Sequence, residues 1–167
     1  MSEFEVEIRP ARPGDAQPIG GVFDAAVLDG WTYFPDIERM VPMFEPAFWD
    51  SFVEESKAPD VLLVAVDAKD DRVVGYVGTK AESGELWVLF VHPEVGGHGI
   101  GRLLLERAEN AIRASGCFRV ILWTHEQNEH AQRVYGAAGY VVDGATRTDE
   151  IQGHEFTEIR MTKRLAA

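Results

Sequence analysis

Residues 85–124 read ELWVLFVHPEVGGHGIGRLLLERAENAIRASGCFRVILWT, and the fold turns on this stretch. Glu85 to His92 is a short apolar run between Glu82-Ser83-Gly84 and Pro93, the bounded pattern of a strand. From Gly101 the period becomes helical: Leu104, Leu105, Ala108, Ala111 and Ile112 fall on one side, and Glu109 stands four residues before Arg113 as a surface pair. Gly116 supplies the stop, and Phe118 to Thr124 is again a strand. Strand, helix and strand in this order require two parallel strands and a right-handed crossover that lays the helix on one face of the sheet.

Upstream, Val61 to Asp67 and Arg72 to Thr79 lead into Glu85 to His92 across two short polar turns, which makes an antiparallel meander. Before them, Phe4 to Arg9 alternates, with Phe4, Val6 and Ile8 pointing one way. A helix starts near Asp15 and runs towards Leu28, with Ile19, Val22, Phe23 and Ala26 at helical spacing. Between helix and meander, Trp31, Tyr33, Phe34, Phe44, Phe48, Trp49 and Phe52 crowd seven aromatic rings into one segment broken by Pro35, Pro42 and Pro46. One or two short helices fit there. Downstream come a helix from Asn128 to Ala138 stopped by Gly139, a strand from Tyr140 to Ala145, a loop from Thr146 to Glu155, and a strand from Phe156 to Leu165. The expected class is mixed α/β: a single domain over residues 1–167, whose central, mostly antiparallel twisted sheet of about seven strands contains one parallel pair and is flanked by helices.

Composition narrows the function. The chain has 167 residues and a formal net charge of −12. That balance argues against nucleic acid or an anionic membrane surface as partner, because phosphate recognition needs clustered Lys and Arg. No apolar run approaches the roughly 18 to 20 residues that span a bilayer, and Met1 to Glu5 lacks the basic start of a secretory signal, so the expected location is the cytoplasm. Cys117 is the single cysteine, which excludes an internal disulfide and a cysteine metal cage. The five histidines His92, His98, His125, His130 and His154 show no close ligand spacing, and no metal is expected.

Gly96-Gly97-His98-Gly99-Ile100-Gly101 places four glycines in six positions between strand and helix. Such a turn exposes backbone N–H groups in front of a helix dipole, a site for a phosphate or pyrophosphate. It is neither a Gly-Lys-Ser/Thr phosphate loop nor a GxGxxG dinucleotide turn. In the later helix, Asn128 at the N-cap, Ala131, Tyr135 and Ala138 share one side, so a polar head, small residues and a phenol line a face that a ligand can lie against.

With both halves in place, the chain resembles the GNAT superfamily of N-acetyltransferases. The family's Arg/Gln-x-x-Gly-x-Gly/Ala pattern falls on Gly96 to Gly101, with Gly96 at the position of the usual Arg or Gln. Its Asn-x-x-Ala-x-x-x-Tyr-x-x-x-Gly-Phe/Tyr pattern matches Asn128 to Tyr140 at every defined position. The resemblance implies acetyl-CoA as acyl-donor cosubstrate, with the backbone of Leu89, Phe90 and Val91 pairing with the pantetheine arm and polarising the thioester. Gly96, Gly97, His98, Gly99, Ile100, Gly101 and Arg102 would wrap the pyrophosphate, and Asn128 would hydrogen-bond the cofactor. Tyr135 matches the family's general acid, which protonates the departing thiolate.

Glu85 opens the strand that carries this backbone and, on a period of two, shares a face with Trp87, Leu89 and Val91. A partly buried carboxylate there has a raised pKa and can accept the ammonium proton, directly or through water. The aromatic segment and the loop from Thr146 to Glu155 are expected to wall the acceptor side, with Asp149, Glu150 and Glu155 drawing in a cation. The implied activity is transfer of acetyl to a primary amine, on a small molecule or a protein, by direct attack in a ternary complex; the competing class is a non-catalytic acyl-CoA sensor. An exposed final strand can pair between subunits as a homodimer.

Overall fold

The computed structural model describes residues 5–167; Phe4, expected at the start of the first strand, lies outside them. The strands are β1 (Val6–Pro10), β2 (Leu62–Asp67), β3 (Arg72–Lys80), β4 (Glu85–Val91), β5 (Arg119–His125), β6 (Val141–Ile151) and β7 (His154–Arg164). They form one seven-stranded sheet in the order β1-β2-β3-β4-β5-β7-β6. Every neighbouring pair is antiparallel except β4 with β5, the pair joined through the helical crossover. The helices are α1 (Ala16–Gly30), α2 (Ile37–Met40), α3 (Pro46–Glu55), α4 (Ile100–Ala114) and α5 (Glu129–Ala137). This is the mixed α/β architecture read from the sequence, with two short helices in the aromatic segment.

A hydrophobic core lies on each face of the sheet. On one, α1 and α3 press Ile19, Phe23, Trp49 and Phe52 against Val64, Val66 and Tyr76. On the other, α4 sets Leu104, Leu105, Ala108 and Ile112 on Ala65, Val77 and Leu122, and Tyr135 of α5 and its C-cap Ala138 join the same layer. Strand β2 therefore reads as a continuous apolar run and not an alternation, because both of its faces are covered.

The feature that positions the site is a bulge. Gly78 pairs with Val88 and Thr79 with Leu86, so Trp87 is an extra residue in β4. Gly78 makes room for the bend: a Cβ there would stand 2.9 Å from Val88 Cγ2. A bulge bends its strand and shifts the side-chain alternation. Leu86, Leu89 and Val91 pack on the α4 side, whereas Val88 and Phe90 pack on the α1–α3 side, where Trp87 stacks on Phe52. Glu85, one residue before Leu86, points with Trp87. The expected shared face of Glu85 with Leu89 and Val91 is thereby corrected: a period of two does not survive the extra residue.

Two further readings are corrected. Glu109 is not a surface partner of Arg113 but is 7% exposed. It accepts the Tyr140 hydroxyl at 3.0 Å and Lys163 Nζ at 3.0 and 3.2 Å, because the partners waiting on the inner side of α4 come from the chain's last third. The stretch from Thr146 to Glu155 is not a loop but most of a hairpin: β6 runs to Ile151, β7 starts at His154, and Gln152 and Gly153 turn between them with φ of 48° and 84°. Positive φ at both turn residues gives the tight primed geometry. The strands were hidden because β6 is an edge strand with polar side chains on both faces.

Candidate active site

Strand β4 stays with β3 as far as Val91, and β5 stays with β7 as far as His125. Between β4 and β5 only Glu85 and Ile121 are register partners, with Ile121 N–H donating to Gly84 O at 3.0 Å. Beyond that pair the strands part, and the β5-facing backbone edge of Leu89, Phe90 and Val91 is left open to a ligand. A cavity of about 310 Å³ opens at this split. Leu89 and Phe90 line it from β4, Asn128, Ala131 and Tyr135 from α5 and its cap, and rings of the aromatic segment close its far end.

Val91 and the glycine turn are outside the cavity lining and lead from β4 into α4. Gly97 and Gly99 take φ of 83° and 76°, and a Cβ at either would meet nothing within 4 Å. Gly99 is the N-cap of α4, so the N–H groups of Ile100, Gly101 and Arg102 form its first turn, without intrahelical acceptors. These features fit a pyrophosphate: an open cradle, backbone donors and the positive end of a 15-residue helix. Gly96, where the family pattern has Arg or Gln, holds φ −59°, a conformation open to any residue. His98 Nδ1 lies 3.1 Å from Val95 O and ties the turn to the residue ahead of it.

Asn128 caps α5, its Oδ1 accepting from Ala131 N–H at 3.1 Å, and also hydrogen-bonds the Tyr33 phenol. The Tyr33 hydroxyl lies 2.5 Å from His125 Nδ1. Burial holds the His125 pKa down to about 4, so the imidazole is neutral near pH 7; according to its tautomer, its single ring proton is on Nδ1 and donated to the Tyr33 hydroxyl oxygen, or on Nε2 with Nδ1 accepting the Tyr33 O–H. A side chain of the aromatic segment is thus tied to the ends of β5 and α5. Tyr135 lines the cavity, and burial pushes its phenol up to about 12, which keeps it protonated near neutrality.

Glu85 is not among the cavity-lining residues. Burial raises its pKa, and the Glu158 carboxylate adds to the shift against the opposing pull of Arg147 and Lys80. Glu158, which the sequence did not single out, does line the cavity. It stands opposite His125 in the β5–β7 register and accepts Arg147 Nε–H at 2.9 Å, while the Arg147 guanidinium lies 4.3 Å from the Trp123 ring centroid. Alternation with the inward Phe156 was the clue to Glu158. Of the three acids expected to attract a cation, Glu155 lines a second cavity of about 200 Å³ beside His125, and Asp149 and Glu150 line neither. Among the described residues, no cluster of His, Cys, Asp and Glu is built to hold a metal, and no helix is long and apolar enough to cross a membrane.

The family model described as "Acetyltransferase (GNAT) family" matches residues 26–140. Mycothiol acetyltransferase of Beutenbergia cavernae is 34% identical over 85 residues, which cover 49% of this chain and 29% of that protein. Mycothiol acetyltransferase of Saccharopolyspora erythraea is 36% identical over 80 residues, covering 46% and 26%. The match thus spans less than a third of either curated relative. In structure, the chain is similar to the PaiA N-acetyltransferase of Thermoplasma acidophilum in complex with coenzyme A, with a TM-score of 0.77 at 22% identity over 96% of this chain and 99% of the other. It is also similar to YncA of Salmonella typhimurium, a protein solved with acetyl-CoA, with a TM-score of 0.74 at 21% identity over 98% and 95% of the two chains.

Proposed function

The chain belongs to the acetyltransferase (GNAT) family, and from that premise we propose that it moves the acetyl group of acetyl-CoA onto a primary amine by direct attack in a ternary complex. The observation that carries the reading is the split between β4 and β5, with a partly buried phenol, Tyr135, on its wall. Bound acetyl-CoA would supply an activated thioester carbonyl and a thiol leaving group.

The remaining work falls to the chain. The open edge of Leu89, Phe90 and Val91 offers backbone N–H and C=O groups to an extended pantetheine arm, as a neighbouring strand would. A backbone donor aimed at the thioester oxygen polarises it most effectively where water is excluded. The turn from Gly96 to Arg102 receives the pyrophosphate, and its backbone donors make side-chain identity there secondary. Asn128 fixes the start of α5, so that Tyr135, two helical turns on, faces the split. Tyr135, protonated throughout the physiological range, donates its proton to the departing sulfur. Glu85, whose raised pKa makes it a better proton acceptor than an ordinary carboxylate, takes the ammonium proton through water, helped by Glu158 at the cavity wall.

Tyr135→Phe tests the reading by thiol release from acetyl-CoA in the presence of a broad primary-amine library. Loss of a general acid lowers kcat by about 10²- to 10⁴-fold, while melting temperature and acetyl-CoA affinity stay close to wild type. An unchanged kcat removes Tyr135 from the chemistry. Acetyl-CoA binding without consumption across the library would instead identify a sensor.

A further inference from the structure

The lining of the cavity specifies an acceptor class. Glu158 is the single carboxylate among the lining residues, no Lys or Arg is among them, and Arg147 meets it from outside the lining at 2.9 Å. Two of the other polar groups are engaged: Asn128 Oδ1 with Ala131 N–H and His125 Nδ1 with Tyr33. The far end is aromatic. Phe44 and Phe48 stack with centroids 4.1 Å apart, Phe48 and Phe52 at 6.2 Å, and Phe52 and Trp87 at 5.3 Å, a continuous row of rings that all line the cavity. Phe44, Phe48 and Trp87 remain 37%, 41% and 42% exposed, and Lys80 Nζ lies 4.2 Å from the Trp87 ring centroid.

We infer that the acceptor is a small primary amine with a compact aromatic or branched apolar body, whose ammonium group faces Glu158 while its body lies on the Phe44–Phe48–Phe52–Trp87 row. The inference rests on the acetyltransferase reading and sharpens it. A carboxylate has room for about four donors, so the bond from Arg147 leaves Glu158 able to receive an ammonium group. The volume of about 310 Å³ is at the lower end for ligand pockets, which run from roughly 300 to 1,000 Å³, and the thioester end takes part of it. A sugar or polyol amine would bury hydroxyls against rings that offer no acceptor, each such loss lowering affinity about tenfold or more. A polyamine would carry further cations into a site with one lining carboxylate.

The test compares phenethylamine with ethanolamine, glucosamine, putrescine and a lysine-containing peptide as acceptors at saturating acetyl-CoA. The expected result is a kcat/KM for phenethylamine at least about tenfold above every other amine, the return for burying one phenyl ring. Phe48→Ser and, separately, Phe44→Ser should raise the phenethylamine KM by a similar factor and leave the acetyl-CoA KM unchanged. Equal or better use of ethanolamine, glucosamine, putrescine or the peptide overturns the inference. If no amine is acetylated although acetyl-CoA binds, the acetyltransferase reading fails, and the pocket is judged by tryptophan-fluorescence titration of the CoA-saturated protein. There, phenethylamine binding about tenfold tighter than ethanolamine, and lost in Phe48→Ser, supports the aromatic site; equal binding overturns it.

Discussion

Replacing Glu109 with Ala distinguishes a surface ion pair from a buried network. In the structure the carboxylate is the acceptor for the Tyr140 hydroxyl, on a residue 2% exposed, and for Lys163 Nζ. Its removal leaves the Tyr140 hydroxyl buried without an acceptor, which costs about 1–3 kcal/mol, and removes a charged hydrogen bond of about 1.5–3 kcal/mol. Two effects reduce the sum: the Lys163 side chain keeps 26% exposure and can rehydrate, and Ala is the better helix former by a few tenths of a kcal/mol. The net loss is about 2–4 kcal/mol, which at about 2–4 °C per kcal/mol for a chain of this size lowers Tm by roughly 4–16 °C. Thermal melts followed by circular dichroism read this directly. A drop under about 2 °C would refute the network, since it is what an exposed helix pair worth about 0.3–0.5 kcal/mol would give. Arg113→Ala, which removes only exposed hydrogen bonds to Asn110 Oδ1 and Ala166 O, should stay within about 1 kcal/mol of wild type.

Other consequences are equally concrete. At Gly20 a Cβ would stand 2.6 Å from Trp49 Nε1, so Gly20→Ala should lose about 1–3 kcal/mol to overpacking, offset by up to about 1 kcal/mol of helix propensity; a stabilised variant in urea unfolding would contradict the close packing of α1 on α3. His125 titrates at about 4 when folded against an ordinary 6.5, so the unfolded chain binds more protons between those values and stability falls as pH drops through that window. His125→Phe should show a smaller loss of urea midpoint between pH 7 and pH 5, and a loss equal to wild type would dismiss the assignment. Glu85 must be ionised to accept a proton, and its raised pKa moves that requirement above the ordinary carboxylate value of 4.5. The kcat/KM of the wild type should therefore rise with pH through an acid limb that Glu85→Gln lacks; superimposable profiles would take Glu85 out of the mechanism.

The sequence alone determined what local chemistry determines. Hydrophobic period placed the crossover from Glu85 to Thr124 and so the parallel pair, because one strand-helix-strand unit admits essentially one topology. The glycines from Gly96 to Gly101 announced a turn that exposes backbone donors, and Asn128 through Tyr140 announced a capped helix with a phenol on one face, since caps and turns depend on residues a few positions apart. The family could be read from those same short patterns.

Tertiary structure decided everything that depends on partners distant in sequence. Trp87 became a bulge residue only because Gly78, nine positions earlier, pairs with Val88, and that one extra residue sent Glu85 away from the face of Leu89. Glu109 found Tyr140 and Lys163 because strands from the end of the chain lie under α4. Alternation with Phe156 hints at the face of Glu158, but only the β5–β7 register sets it opposite His125, and Tyr33 reached His125 across 92 positions of sequence. Helix and turn signals are set by contacts within a few residues, whereas strand register, bulges and the burial of a charge are settled by long-range packing. The sequence therefore announced the glycine turn, the capped helix and an aromatic wall, and the fold alone brought Glu158 into the cavity those rings line.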